Sequence, residues 1–328
     1  MDETISMRQL WRITYPGGAA ARVTNDLTDY GDLSLSADER TLAGVQSQTL
    51  TTVFLAPSND YARTTQITSG AGRYVDISWT PDGRVLFASD ASGNADIWEM
   101  AADGSGQVQL TAGAGRNYAP VSSPDGRYIL FHSNRSGTWQ IWRMDRDGSN
   151  PVRLTNGEEN SNWPQMTPDG RWVVFQRGEI EPTLWKVGVD GGESMQLTQT
   201  RAGRPAVSPD GKFIAYHYLD PDLNQWGIGI ISSAGGARLK RFNFPPTVAW
   251  RFVRWSPDSQ AIAYANSPGG LSDIWLQPLD GSPPKSLINF KAEQILTFDW
   301  SADGRSLLFV HGVETSDVIL IEQSPIRH

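Results

Sequence analysis

Short runs of bulky apolar residues alternate with polar turns from one end of the chain to the other. The stretch from Tyr118 to Thr155 shows the unit. Ala119-Pro120-Val121-Ser122 leads into Pro124-Asp125-Gly126, where Pro favours the first corner of a turn and Gly takes the positive φ that closes it. Tyr128-Ile129-Leu130-Phe131 follows, bulky and β-favouring. After a polar loop, Ser133-Asn134-Arg135-Ser136-Gly137, the segment Gln140-Ile141-Trp142-Arg143-Met144 alternates polar and apolar residues, the mark of a half-buried strand. Asp147-Gly148 predicts a second hairpin, and Val152-Arg153-Leu154-Thr155 a fourth strand.

The unit recurs. Its first turn is written seven times, with Asp38, Asp82, Asp125, Asp169, Asp210, Asp258 and Asp303 at steps of 44, 43, 44, 41, 48 and 45 residues. Such a period marks a repeat architecture. Trp98, Trp142, Trp185 and Trp275 recur in the third strand, at strand spacing that predicts core rather than a ligand platform. Asp103-Gly104, Asp190-Gly191, Gly235-Gly236 and Asp280-Gly281 recur at the second hairpin. The expected fold is all-β: a seven-bladed β-propeller of four-stranded antiparallel blades, one domain over residues 1–328. Leu10-Trp11-Arg12-Ile13 and Arg22-Val23-Thr24 read as the end of a blade that lacks its beginning. Residues of about 9–25 are therefore expected to pair with the last blade, about 295–322, and close the ring. The mid-blade start also predicts that the chain is part of a longer protein.

Composition narrows the function. A net charge of −8 lacks the basic footprint that nucleic acid requires. With no Cys there is no disulfide framework, thiolate metal site or Cys nucleophile. No apolar stretch is long enough to insert in a membrane, and the start carries no signal peptide. A monomer without cofactor is expected.

Ser123-Pro124-Asp125-Gly126-Arg127, continued by Gln140-Ile141-Trp142-Arg143-Met144-Asp145 and Arg153-Leu154-Thr155, resembles the PD40 (WD40-like) repeat of TolB-type propellers. The fifth copy departs most, with Gly227-Ile228-Gly229-Ile230 in place of the Trp strand. Ser259-Gln260 breaks the sixth turn, and Ala37 and Ala302 replace Pro in the first and last. Leu10 to Gly18, with Asn25 to Tyr30, is most similar to propellers attached to bacterial serine/threonine kinases. The resemblance implies a periplasmic or extracytoplasmic setting and a non-catalytic sensory or binding role. The alternatives are a periplasmic TolB-type scaffold and a metal-dependent sugar-active propeller enzyme.

Strand alternation puts both hairpins of each blade on one side of the ring and the longer, varied loops on the other, the default place for binding. Those loops carry Tyr30, Arg73, Tyr74, Arg116, Tyr118, Trp163, Arg204, Trp250 and Arg251. Tyr, Trp and Arg are the residues of interface hot spots, so this face is expected to bind a protein, peptide or glycan. The competing expectation is that they pack the channel rim. His132, His217 and His311 sit at matching strand ends, where a metal is the lesser reading. The Asp-Gly turns are explained by backbone geometry rather than calcium, for no D-x-[DN]-x-[DN]-G loop occurs. No G-x-S-x-G, H-E-x-x-H, Walker or kinase motif points to catalysis.

Overall fold

The computed structural model describes residues 9–24, 28–69, 73–220, 225–245, 247–288, 290 and 294–322, with the side chains of 249–251 and 322 outside this set. Every regular element among the described residues is a strand. The chain, read above as one domain, divides into two compact units: residues 1–50 with 313–328, and residues 51–312.

In the smaller unit β1 (Trp11–Ile13) pairs with β2 (Ala20–Arg22), and β3 (Asp29–Leu35) pairs with the first part of β4 (Thr41–Pro57). The larger unit starts inside β4, at Thr51, and adds β5 (Thr65–Gln66). Five four-stranded antiparallel sheets follow. The first holds β6 (Val75–Trp79), β7 (Val85–Ser89), β8 (Asp96–Met100) and β9 (Val108–Gln109). The second holds β10 (Asn117–Ser122), β11 (Tyr128–Ser136), β12 (Thr138–Asp145) and β13 (Val152–Arg153). The third holds β14 (Ser161–Met166), β15 (Trp172–Arg177), β16 (Thr183–Gly188) and β17 (Gly191–Gln196). The fourth holds β18 (Gly203–Val207), β19 (Phe213–Asp220), β20 (Gln225–Ser232) and β21 (Lys240–Asn243). The fifth holds β22 (Val248–Trp255), β23 (Ala261–Asn266), β24 (Asp273–Pro278) and β25 (Lys285–Ser286). Last come β26 (Gln294–Trp300) and β27 (Ser306–Glu322), whose residues beyond Gly312 belong to the smaller unit.

The sixth sheet of the larger unit runs β26, β27, β4, β5. Within this unit each leading strand packs beside the next, β6 by β10, β10 by β14, β14 by β18, β18 by β22, β22 by β26 and β26 by β6, so the series closes on itself as a propeller. Six of the seven turns each serve one sheet of the larger unit, the last joining β26 to β27, while the first joins β3 to β4 in the smaller unit. An N-terminal strand does complete the C-terminal sheet, but the strand is β4 with β5, not residues 9–25. Burial explains the difference. Trp11 and Ile13 are exposed and β1 and β2 have no buried face, whereas Val53 and Ala56 of β4 are fully buried and Phe54 stacks on Phe309, ring centroids 5.5 Å apart.

Six of the seven turns share one construction, and the second, at Thr80, closes one residue earlier on the Arg84 amide. In the third copy the Ser123 hydroxyl donates to Asp125 Oδ1 (2.7 Å), which also accepts the Arg127 amide (3.1 Å), while Ser123 Oγ accepts the Tyr128 amide (2.9 Å). These bonds, the Ser123 hydroxyl first, hold the Asp125 carboxyl down at about 2. Where the glycine is missing, Glu39 and Ser259 take its positive φ (58° and 60°) and the turn survives. The carboxylates that recur most visibly are consumed by their own backbone.

Trp98, Trp142, Trp185 and Trp275 are half-buried and lie opposite an aromatic on the second strand: Phe87, Phe131, Phe175 and Tyr264. The fifth copy breaks this pairing for a steric reason. Gly229 stands opposite Tyr216, and a Cβ there would sit 2.5 Å from the tyrosine ring. Tyr216 fills the place that Trp holds elsewhere. Gly229→Ala should therefore cost about 1–3 kcal/mol through overpacking, read by guanidinium unfolding. An unchanged midpoint would show that Tyr216 has room to move.

Candidate functional site

Each leading strand of the larger unit carries a β-bulge, a shift in pairing register partway along its length. In four consecutive sheets the residue at the bulge is a non-glycine with positive φ: Asp76 (50°), Ala119 (50°), Trp163 (59°) and Arg204 (51°). A bulky residue in this region is strained, by roughly 1–3 kcal/mol, and persists only where its surroundings hold it. All four lie six residues before the turn aspartate of their copy; Phe252 occupies the same place in β22, whereas in β26 the shift falls at Leu296 and Thr297, six before Asp303, pairs with Val310.

The bulge removes an amide from the ladder, and a buried amide needs a partner. The preceding sheet supplies one. Ala119 N donates to Asp76 Oδ2 (3.2 Å), Trp163 N to His132 Nδ1 (3.4 Å) and Arg204 N to Gln176 Oε1 (3.0 Å). His132 and Gln176 each stand seven residues after their turn aspartate, as does His217. The histidine pattern seen in the sequence is thus a capping position, and for His132 the acceptor role requires a neutral ring. Burial first, and then the charge of Arg204, bring both His132 and His217 down to about 3. Among the described residues no three His, Cys, Asp or Glu side chains stand where they could hold a metal ion.

The bulge residues gather at one end of the channel. The Arg204 guanidinium lies 4.6 Å from the Trp163 ring centroid and 5.7 Å from that of Phe252, and the two rings meet edge to face at 5.7 Å. Arg254 approaches Phe252 from its own strand, 5.3 Å from the centroid. With Asp76, Ala119 and Gln165 these side chains line a slot of about 30 Å³. Two residues further along each strand, Ser78, Val121, Gln165, Ala206, Arg254 and Asp299 line a wider section of about 240 Å³ that opens beside the turn residues Pro209, Pro257 and Ser301. The slot therefore lies towards the end opposite the Ser-Pro-Asp-Gly turns. Asp299 ties the sections together, 3.5 Å from Arg254 Nε; burial raises its pKa, which Arg254 partly offsets.

Of the residues proposed from sequence, the structure brings together Trp163 and Arg204. Arg73 is held by Asp90 at 3.0 Å. Tyr74 is buried against Phe87, ring centroids 5.1 Å apart, and its hydroxyl accepts from Gln107 (3.2 Å). Tyr118 is buried beside His132 and Trp139, and burial pushes its hydroxyl up to about 12. Arg116 is half-buried just before β10, its amide donating to Asn134 Oδ1. Tyr30 is buried in the smaller unit, on β3. The side chains of Trp250 and Arg251 lie outside the described residues. Sequence reasoning missed Asp76, Ala119, Phe252 and Arg254. A signal existed, since each stands at a fixed distance before a turn aspartate.

The imidazoles set a pH dependence. Their folded pKa values lie below the unfolded value of about 6.5, so the unfolded chain binds protons that the folded chain refuses. Their contribution is neutral above pH ~6.5 and lowers stability as pH falls from there towards 3. His132 and His217 should show no NMR titration between pH 8 and about 4. A midpoint near 6.5 for His132 would remove it as the acceptor that holds Trp163.

The family profile of the TolB β-propeller domain, PD40, matches residues 62–240. No curated protein sequence matches the chain. Among solved structures, the TolB-designated protein of Agrobacterium tumefaciens is 18% identical, with a TM-score of 0.68 over 81% of this chain and 99% of that one. TolB of Acinetobacter baumannii is 20% identical, with a TM-score of 0.57 over 82% and 66%. The oligogalacturonate lyase of Vibrio parahaemolyticus is 15% identical, with a TM-score of 0.51 over 84% and 76%. These likenesses concern the fold. The profile covers more than half of the chain, seated on blades whose turns and bulges repeat in one register, and the chain belongs to the TolB β-propeller family.

Proposed function

We propose that the chain is a non-catalytic binding module that takes a protein or peptide segment at the channel end formed by Trp163, Arg204 and Phe252. One observation carries this reading: an aromatic, guanidinium, aromatic stack contributed by three successive leading strands, two of its members on strained backbone. Stored strain at convergent polar and aromatic side chains is a mark of functional sites. All three side chains are half-buried, so part of each still faces solvent. Trp and Arg in such settings dominate binding energy. The capped amides fix the stack in advance, which lowers the ordering cost of association.

A glycan is the second reading. The shared fold of the oligogalacturonate lyase favours it, and a Trp163 face can stack on a sugar ring. Display of a random peptide library against the full chain separates the two. Peptide capture is expected, and Trp163→Ala or Arg204→Ala should weaken it at least about tenfold without changing the melting temperature. Capture that survives both substitutions would place binding elsewhere.

A further inference from the structure

The slot has a chemistry of its own. Two guanidiniums, Arg204 and Arg254, share the ring of Phe252. Both place positive charge within 5.7 Å of that ring centroid, and its field is stronger where water is partly excluded. The positive field reaches the surroundings, since Arg204 opposes protonation of both His132 and His217. Among the described lining residues Asp76 is the one carboxylate, and it accepts the Ala119 amide on the facing wall. Asp299 meets Arg254 from the wider section, beyond the slot, at 3.5 Å.

Size narrows the ligand. A volume of about 30 Å³ has room for about two waters, each needing roughly 10–15 Å³. That suits the planar tip of a side chain better than a sugar ring. A carboxylate matches it in charge and shape, because the fork of each guanidinium presents paired donors to carboxylate oxygens. Trp163 and Phe252 stand beside it to take the aliphatic stem.

We propose that the slot recognises an acidic side chain, Glu or Asp, of a bound peptide, its carboxylate seated between Arg204 and Arg254. This rests on the peptide-binding reading of the same channel end. Trp163 then grips the neighbouring peptide group, and the specificity is for an extended acidic segment rather than for apolar chain.

Blocked tripeptides test this directly on the full chain: Ac-Ala-Glu-Ala-NH2, Ac-Ala-Gln-Ala-NH2 and Ac-Ala-Lys-Ala-NH2, with galacturonate as a fourth probe. The readout is the backbone amide signal of Gln165, which lines the slot and is kept in every variant, in an NMR titration up to tens of millimolar. The Glu peptide should shift it saturably, and the Gln peptide should bind at least about tenfold more weakly, the scale of one charge-assisted hydrogen bond. Arg204→Gln and Arg254→Gln should each lose at least about tenfold, and Arg204→Lys, which keeps charge but loses the fork, should fall between. Melting curves confirm that the variants fold. Equal binding of Glu and Gln peptides, lost in Trp163→Ala, would overturn the carboxylate inference and leave the binding reading standing. Binding of the Glu peptide unchanged in Trp163→Ala and both Gln variants would overturn both. No saturable shift with the Glu peptide, or one with galacturonate alone, overturns the choice of an acidic peptide.

Discussion

The larger unit depends on one pairing, that of the second half of β4 with the first half of β27. Each of the six sheets buries one face against the sheet before it and the other against the sheet after it. A linear series would leave two apolar faces open. Strands from residues 51–66 and 294–312 make the sixth sheet together, so neither end of the series is exposed. Phe54 and Phe309 stack across the junction, and Phe290 packs on both. Contacts between residues so far apart in sequence are slow to form, and the ring is complete only when both ends are present.

Closure has a geometric consequence near the axis. Six strands that converge on a channel cannot all keep regular pairing up to its mouth, and each breaks register at a bulge. The freed amide is then a liability, resolved by a side chain from the neighbouring sheet. Asp76, His132 and Gln176 do this for three successive bulges with three different chemistries. His132 and Gln176 act from one repeated position on the second strand and Asp76 from the preceding bulge itself, so strained backbone at Trp163 and Arg204 costs no unpaired amide. A rigid frame with variable occupants is what allows one architecture to bind different things.

Much of this was legible in the chain. The spacing of the turn aspartates predicted the strands and sheets at six of its seven turns, because Asp and Gly at a tight hairpin leave little freedom in register. The closing strand was misplaced because Leu10 to Thr24 carries the residue types of a blade end without a buried face, a difference set by tertiary packing. The site was half legible. Residue type picked out Trp163 and Arg204, but it picked out Tyr74 and Tyr118 equally, and those are buried between sheets. Alternation alone could not separate them, since a bulge shifts the strand by one residue and reverses which side chains face the channel.

Counting from the turn aspartate removes that ambiguity. In the first five sheets the bulge lies six residues before it; in all six the wider section lies four before it; in the second and third sheets the cap for the next bulge lies seven after it. On this register the channel end reads Asp76, Ala119, Trp163, Arg204, Phe252 and Thr297 around the ring. The sequence is uneven. Large aromatic and cationic residues occupy three adjacent sheets, while Ala119 and Thr297 flank the arc with small side chains. Two guanidiniums, Arg204 and Arg254, lie 5.7 and 5.3 Å from the Phe252 ring centroid, a charge pattern that packing alone does not require. Asp299 answers the charge of Arg254 from the wider section, 3.5 Å from its Nε. On the proposed reading, this asymmetry gives the channel a direction of approach: a ligand would enter over the arc of Trp163, Arg204 and Phe252, with its charged tip leading.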